Sequence, residues 1–151
     1  NDNGGEGLNA KSQAVYALAQ GLLEAGVPLD GVGLQMHTAL GSAPTRQDLL
    51  SNFQRLADLG MQIHITEMDV RLQYSNKPQA EKLRAQAEVY RDVLAACLQV
   101  QNCRAFVTWG LSDRYSWIEG FTGHPDQPLL FDRQGQPKPA YQTVREELAS
   151  P

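Results

Sequence analysis

Two carboxylates near the end of an apolar segment are the side chains in this chain best suited to chemistry. The segment runs from Ile63 to Val70, and Glu67 and Asp69 are its acids. Its apolar and β-branched residues predict a buried strand. Side chains two residues apart on a strand point to the same face, about 7 Å apart, so both acids should share one surface. The carboxyl ends of parallel strands carry catalytic groups in α/β enzymes, so acid-dependent chemistry is expected here.

Polar and aromatic side chains also close the neighbouring apolar segments. Gln35 and His37 end one of them. Trp109 ends another, and Trp117 lies shortly beyond it. Carboxylates beside indoles suit a neutral sugar, because acids act on the anomeric carbon and indoles stack on pyranose faces.

Helices and strands alternate along the chain, which predicts the elements that position these groups. The predicted helices are 9–24, 45–59, 79–98 and 140–148, and the predicted strands are 31–37, 62–69 and 103–109. This alternation favours an α/β fold with a parallel sheet and helical crossovers. The nearly continuous apolar runs predict strands that are covered on both faces. The long segment 111–139 is predicted to be a functional loop.

Composition narrows the class of protein. The 151 residues have a net charge of −4 and are 42% hydrophobic, which is ordinary for a globular domain. An acidic chain argues against a nucleic-acid partner, and no apolar run approaches the roughly 20 residues that span a membrane. The chain begins at Asn1 without a signal peptide, so a processed or truncated chain is expected.

The two cysteines, Cys97 and Cys103, lie six residues apart. They are either two buried thiols or a local disulfide between a helix end and the next strand, since Gln101 and Asn102 resemble a turn. Two cysteines do not decide the redox compartment. No histidine or further cysteine lies at ligand spacing, so no metal site is predicted.

Five segments together closely resemble glycoside hydrolase family 10, in order and with plausible spacing: 31–37, 65–69, 109–117, 128–132 and 137–141. The resemblance implies a retaining endo-1,4-β-xylanase on a (β/α)8, or TIM, barrel. It identifies residues 1–151 as the C-terminal part of that catalytic domain, a parallel (β/α) half-barrel. It also implies a xylan or xylo-oligosaccharide ligand, no cofactor, and a secreted or periplasmic location.

The resemblance assigns catalytic roles to three residues. Glu67 corresponds to the nucleophile, His37 to the histidine beside it, and Asp69 to the acid that orients the histidine. His37 can donate one ring proton to each carboxylate, which would stabilise the ionised nucleophile. Each side chain also has a purely structural interpretation, as a strand-end acid, a cap or a satisfied histidine.

Substrate contacts are implied for three more residues. Gln35 resembles a polar residue that lines the sugar site, and Trp109 and Trp117 resemble aromatic residues around the −1 subsite; each is otherwise a core or hydrogen-bonding residue. The pair beginning at Asn1 matches an Asn-Asp of the family after its fifth strand, whereas Asn3 replaces a common tyrosine. Outside this set, Asp113 and Arg114 pair with each other or the loop, or contact sugar.

The second carboxylate that the family requires is missing. The family carries its acid/base in an Asn-Glu pair, and no such pair occurs here. Glu6 lacks that motif, His64 is predicted to be structural or exposed, and His124 to be solvated. Two functions therefore compete: one part of a xylanase, or a catalytically incomplete carbohydrate-binding half-barrel. Either predicts exposed sheet edges, and hence an N-terminal half-barrel partner or self-association.

Overall fold

A parallel sheet with helices packed against it makes up the chain in a computed structural model that describes residues 1–150. The helices are α1 (Ala10–Glu24), α2 (Arg46–Asp58), α3 (Gln79–Gln99), α4 (Ile118–Thr122) and α5 (Pro139–Ala149). The strands are β1 (Gly31–Leu34), β2 (His37–Ala39), β3 (Gln62–Arg71) and β4 (Cys103–Thr108). β3 is central: β1 and β2 pair with it in succession on one side, and β4 pairs with it on the other. The predicted α/β class is confirmed.

A break between β1 and β2 replaces the single strand predicted over 31–37. Met36 has a φ of 64° and is the one residue other than glycine with a positive φ among residues 1–150. Its backbone N–H donates to Oε1 of the buried Glu6 at 3.1 Å, and Gly4 N donates to the same oxygen at 2.9 Å. The Glu6 carboxylate thus supports a left-handed conformation that is costly for a residue with a side chain.

The apolar core lies between one face of the sheet and the helices. The spacing of Leu49, Phe53 and Leu56 predicts that they share one face of α2, and this is confirmed because all three are buried. The spacing of Ala14, Leu18 and Leu22 predicts that they form the buried stripe of α1. That prediction is wrong: Leu18 is 64% exposed, and the buried residues of α1 are Ser12 and Ala19. The apolar face of α1 that the pattern marks therefore points away from this chain's own core.

The opposite face of the sheet is open, contrary to the expectation that both faces are covered. Gln62 and His64 of β3 are exposed, as are Arg104 and Val107 of β4. In a closed barrel, side chains on this face pack against those of the other strands and fill the interior. Among residues 1–150, β4 pairs with β3 alone, so its outer edge is also free.

A disulfide joins Cys97 to Cys103, with a Cα–Cα distance of 5.2 Å. It ties the end of α3 to the start of β4, so the structure decides between the two alternatives. The predicted loop 111–139 is partly helical, because it contains a 3₁₀ turn, Asp113–Tyr115, and the short helix α4. Within the described residues, no helix has the length and apolar character needed to cross a membrane.

Candidate active site

Glu67 and Asp69 converge on the imidazole of His37. Nε2 of His37 lies 3.2 Å from Oε2 of Glu67, and Nδ1 lies 2.8 Å from Oδ2 of Asp69. Asp69 is fully buried, whereas the side chains of Glu67 and His37 keep 15% and 11% exposure. A carboxylate at each ring nitrogen favours the doubly protonated imidazolium, which donates to both.

Strand register produces this convergence. His37 is the parallel partner of Asp69, and the backbone N–H of Glu67 donates to the carbonyl of Gln35 at 3.0 Å. The pairing of β3 with β4 shifts register between Ile65 and Met68. Ile63, Ile65, Glu67 and Asp69 are spaced two residues apart, so a regular strand would point all four to one face. The register shift lies between Ile65 and Met68 and changes the direction of the side chains after Ile65. The two acids therefore reach the site although Ile65, two residues before Glu67, packs in the core.

The electrostatics of His37 favour its charged form. Burial of the imidazole opposes protonation, but the hydrogen bond and charge of Asp69, followed by those of Glu67, outweigh it and raise the pKa of His37 above its ordinary value of 6.5. The site therefore combines two acids with a histidine that stays protonated to higher pH than a free imidazole.

We expect this raised pKa to appear in the pH dependence of folding. Because the pKa of His37 is higher in the folded chain, its protonation stabilises the fold fully below about pH 6.5, and this contribution is lost as the pH rises through the folded pKa. The free energy of unfolding of wild type minus that of His37→Asn, from urea denaturation between about pH 5 and pH 9, should therefore be largest at the acidic end and fall as the pH rises. A constant difference between the two proteins would contradict the raised pKa.

Asn1 completes the support of Glu67, and the sequence interpretation gave it no such role. Its Nδ2 donates to Oε1 of Glu67 at 2.8 Å, and its Oδ1 accepts from Oγ1 of Thr66 at 2.9 Å. Both oxygens of the Glu67 carboxylate are thus engaged, one by Asn1 and one by His37. Gly33 permits this approach, because a Cβ there would lie 2.5 Å from Oδ1 of Asn1. The Asn-Asp motif was a usable signal, but its contact depends on the tertiary fold.

The two tryptophans flank the imidazole and differ in exposure. Trp117 donates from Nε1 to Oδ2 of Asp69 at 2.8 Å, and its ring centroid lies 5.0 Å from that of His37. Trp109 meets His37 edge-on at 6.4 Å and is 48% exposed. The structure thus places Trp117 as a brace on the acid and Trp109 as an open aromatic surface. The Gln35 side chain is half-buried and makes no hydrogen bond to another described residue.

Comparison with known proteins places this arrangement in a family. The model of glycosyl hydrolase family 10 matches residues 1–147. The chain belongs to glycosyl hydrolase family 10. Endo-1,4-β-xylanase B of Thermotoga neapolitana is 41% identical over 146 residues, which are 97% of this chain and 42% of that protein. Endo-1,4-β-xylanase 5 of Pyricularia oryzae is 40% identical over 152 residues, covering 99% of this chain and 37% of that protein.

Solved family 10 structures share the fold. Xylanase 10B from Thermotoga petrophila, in complex with xylobiose, superposes with a TM-score of 0.91 at 40% identity over 97% of this chain and 44% of that one. Native xylanase 10B from Thermotoga maritima gives a TM-score of 0.91 at 41% identity, over 97% and 45%. This family 10 chain therefore spans less than half the length of these relatives, and its sheet superposes on part of their TIM barrel.

The remaining candidates of this family 10 chain lie outside the site. His64 and His124 are exposed. Asp113 is buried in an ion pair with Lys138, whose Nζ lies 3.0 Å from Oδ2. Burial raises the pKa of Asp113 against the opposing charge of Lys138, and burial lowers the pKa of Lys138. Lys138 was missed because a lysine before a helix normally indicates a solvated residue.

No group of three or more histidine, cysteine, aspartate or glutamate residues within 1–150 is arranged to hold a metal ion. The two acids of the site share His37 as a partner, and Asp69 also accepts from the indole N–H of Trp117.

Proposed function

We propose that this chain supplies the nucleophile side of a retaining endo-1,4-β-xylanase, with its acid/base carboxylate outside these 151 residues. One observation carries the proposal: Glu67 has both carboxylate oxygens engaged, by Asn1 and His37, in a chain of family 10. Fixed donors hold a carboxylate in one rotamer, as a nucleophile requires.

The reaction follows the double-displacement course of retaining glycosidases. An oxygen of Glu67 attacks the anomeric carbon of a xylose unit, and the bond from that carbon to the glycosidic oxygen breaks. The second carboxylate, from outside this chain, gives its proton to the departing oxygen. It then takes a proton from water, whose oxygen attacks the same carbon, cleaves the ester and regenerates Glu67.

His37 and Asp69 serve the nucleophile. Before the attack, the imidazolium donates one hydrogen bond to Glu67 and one to Asp69. When Glu67 loses its charge in the ester, the hydrogen bond from Nδ1 of His37 to Asp69 can remain. Asp69 is buried and accepts from His37 and Trp117 through the same oxygen, so the ring cannot rotate away without breaking a charge-assisted hydrogen bond.

The proposed ligand is xylan or a xylo-oligosaccharide. It is supported by the xylanase names of the relatives and by the xylobiose in the Thermotoga petrophila structure. A neutral polymer of pyranoses suits an acidic protein whose site offers an exposed indole, because the sugar faces carry C–H groups that stack on aromatic rings.

Replacing Trp109 with alanine should weaken sugar binding without altering the nucleophile. The indole is 48% exposed and makes edge contact with His37, so its main loss is the stacking surface. By analogy with other aromatic platforms, xylo-oligosaccharide affinity should fall by about 1–3 kcal/mol in titration calorimetry. Tyr74→Ala is the matched control, because Tyr74 is 64% exposed beyond the end of β3 and lies outside the site. Equal affinities for Trp109→Ala and wild type would contradict the stacking role.

We also propose secretion or periplasmic export. The disulfide between Cys97 and Cys103 supports an oxidising compartment, since such bonds seldom persist in the cytosol.

Trapping the covalent intermediate tests the proposed function. A dinitrophenyl β-xylobioside has a leaving group that departs with little acid assistance, so it can glycosylate Glu67 even when the acid/base is poorly placed. Peptide mass mapping should find one xylobiosyl group on the peptide that contains Glu67, in the chain assembled with a complementary half-barrel whose acid/base carboxylate is replaced by alanine, so that no base activates water to cleave the ester. Modification at another carboxylate would overturn the assignment. Sugar binding without any ester would favour the second candidate, a carbohydrate-binding half-barrel.

A further inference from the structure

A buried lysine ammonium gathers two separate stretches of the segment after β4. Nζ of Lys138 donates to Oδ2 of Asp113 at 3.0 Å, to the carbonyl of Gln127 at 2.7 Å and to that of Leu129 at 2.6 Å. These three bonds use all the protons of the ammonium. Lys138 is 5% exposed and Asp113 is 2% exposed, so solvent screens this pair little.

Asp113 is fixed by two further hydrogen bonds, and its neighbour Ser112 makes a third to the same segment. Its backbone N–H donates to the carbonyl of Phe131 at 2.9 Å, and its Oδ1 accepts from the N–H of Leu129 at 2.8 Å. The preceding Ser112 donates from Oγ to the carbonyl of Asp132. The start of the 3₁₀ turn is thus hydrogen-bonded to residues 129–132 and, through Asp113, to Lys138.

Trp117 lies two residues beyond this turn and is the N-cap residue of α4. Its Nε1 donates to Oδ2 of Asp69, the same oxygen that accepts from Nδ1 of His37. Its ring lies 5.0 Å from the imidazole and 4.8 Å from Phe121 of α4. A shift of the turn would therefore move the indole off Asp69 and change the partner that orients His37.

We propose that Lys138 and Asp113 are positioning residues of the active site, which hold Trp117 on Asp69 and thereby keep His37 aimed at Glu67. Their catalytic consequence rests on the proposed function. The positioning itself does not, because it concerns contacts within the chain. A pair with a merely structural role would change global stability and leave the indole contact of the folded state intact.

The test is hydrogen exchange of the Trp117 indole N–H in the 151-residue chain. The chain has two tryptophans, so Trp109→Phe assigns the two indole NMR signals directly. The probe variant is the double substitution Asp113→Asn with Lys138→Met, because removing both charges leaves no uncompensated ion in the interior. The indole N–H of Trp117 should exchange about tenfold faster or more, while the backbone amides of β3 keep their protection.

A matched control lies in the same segment. Arg133 and Glu119 of α4 form an exposed ion pair, which contributes little to a fold. Glu119→Gln with Arg133→Met should leave the Trp117 exchange rate within about twofold of wild type. In a Trp117→Phe background, the Asp113/Lys138 substitutions should no longer shift the ring-nitrogen signals of His37, since their route through the indole is gone.

An unchanged exchange rate for Trp117 in the folded double variant would overturn the proposal. If that variant does not fold, Lys138→Arg takes its place, since the larger guanidinium keeps the charge but not the three short contacts, and the same criterion applies. Failure of the proposed function has a different signature. There, no ester forms on Glu67 in wild type, whatever the indole exchange shows.

Discussion

Glu67→Gln should lower the rate of xylan hydrolysis by several orders of magnitude in any assembled enzyme that contains this chain. The amide keeps the shape of the carboxylate but is a poor nucleophile, so the covalent route is lost. Each factor of ten corresponds to about 1.4 kcal/mol of transition-state free energy. The measurement is the steady-state rate on xylan together with the mass of the Glu67 peptide after treatment with the dinitrophenyl glycoside. Neither turnover nor labelling should survive.

Glu88→Gln is the matched control for this change. Glu88 is an exposed carboxylate on α3, so the same chemical substitution should leave the rate within about twofold. If Glu67→Gln kept more than about a tenth of wild-type xylan hydrolysis, Glu67 would lose the role of nucleophile.

Alone, the chain should associate with itself and hydrolyse xylan very poorly. Among residues 1–150 the outer edge of β4 is unpaired, and Val107, Leu111 and Leu18 are exposed apolar side chains. Unpaired edges and apolar patches drive association. The missing acid/base alone should lower the rate by about 10²–10⁴-fold, since that is what general acid catalysis contributes.

Complementation would separate the two causes. Co-expression with the part of the Thermotoga neapolitana xylanase that this chain does not match should yield a one-to-one complex and restore hydrolysis by at least that factor. The same complex with Glu67→Gln should assemble and remain inactive. Light scattering that showed a stable monomer of the chain at tens of micromolar would refute the association. Brisk hydrolysis by the chain alone would refute the missing acid/base.

Local sequence patterns predicted the elements well where burial and capping act over short distances. The N-caps Asn9 and Thr45 accept from the backbone N–H groups of Ser12 and Asp48, as their residue types indicate. The parallel sheet follows from the alternation of helices and strands, and the motifs around Glu67 resemble family 10, which the match over residues 1–147 confirms. The roles of Glu67, His37, Asp69, Gln35, Trp109 and Trp117 remain proposals.

The predictions that were wrong concern features that depend on residues distant in the sequence. The pattern of α1 placed Leu18 in the core because periodicity marks an apolar face without saying which neighbour covers it. The run 31–37 looked like one strand, since nothing local reveals that Glu6 stabilises a left-handed Met36 and splits it. The open face of the sheet was likewise not predicted, because apolar runs do not show which residues, if any, pack against each face of a strand.

The sequence by itself determined the α/β class, the family and which side chains could do chemistry. Tertiary structure alone decided how they are supported. Asn1 reaches Glu67 across 66 residues, and Lys138 reaches Asp113 across 25. Such contacts depend on strand register and on which groups are buried together, and burial is what gives a hydrogen bond or an ion pair its energetic weight. Composition and spacing encode neither, so these partners appear only when the chain is folded.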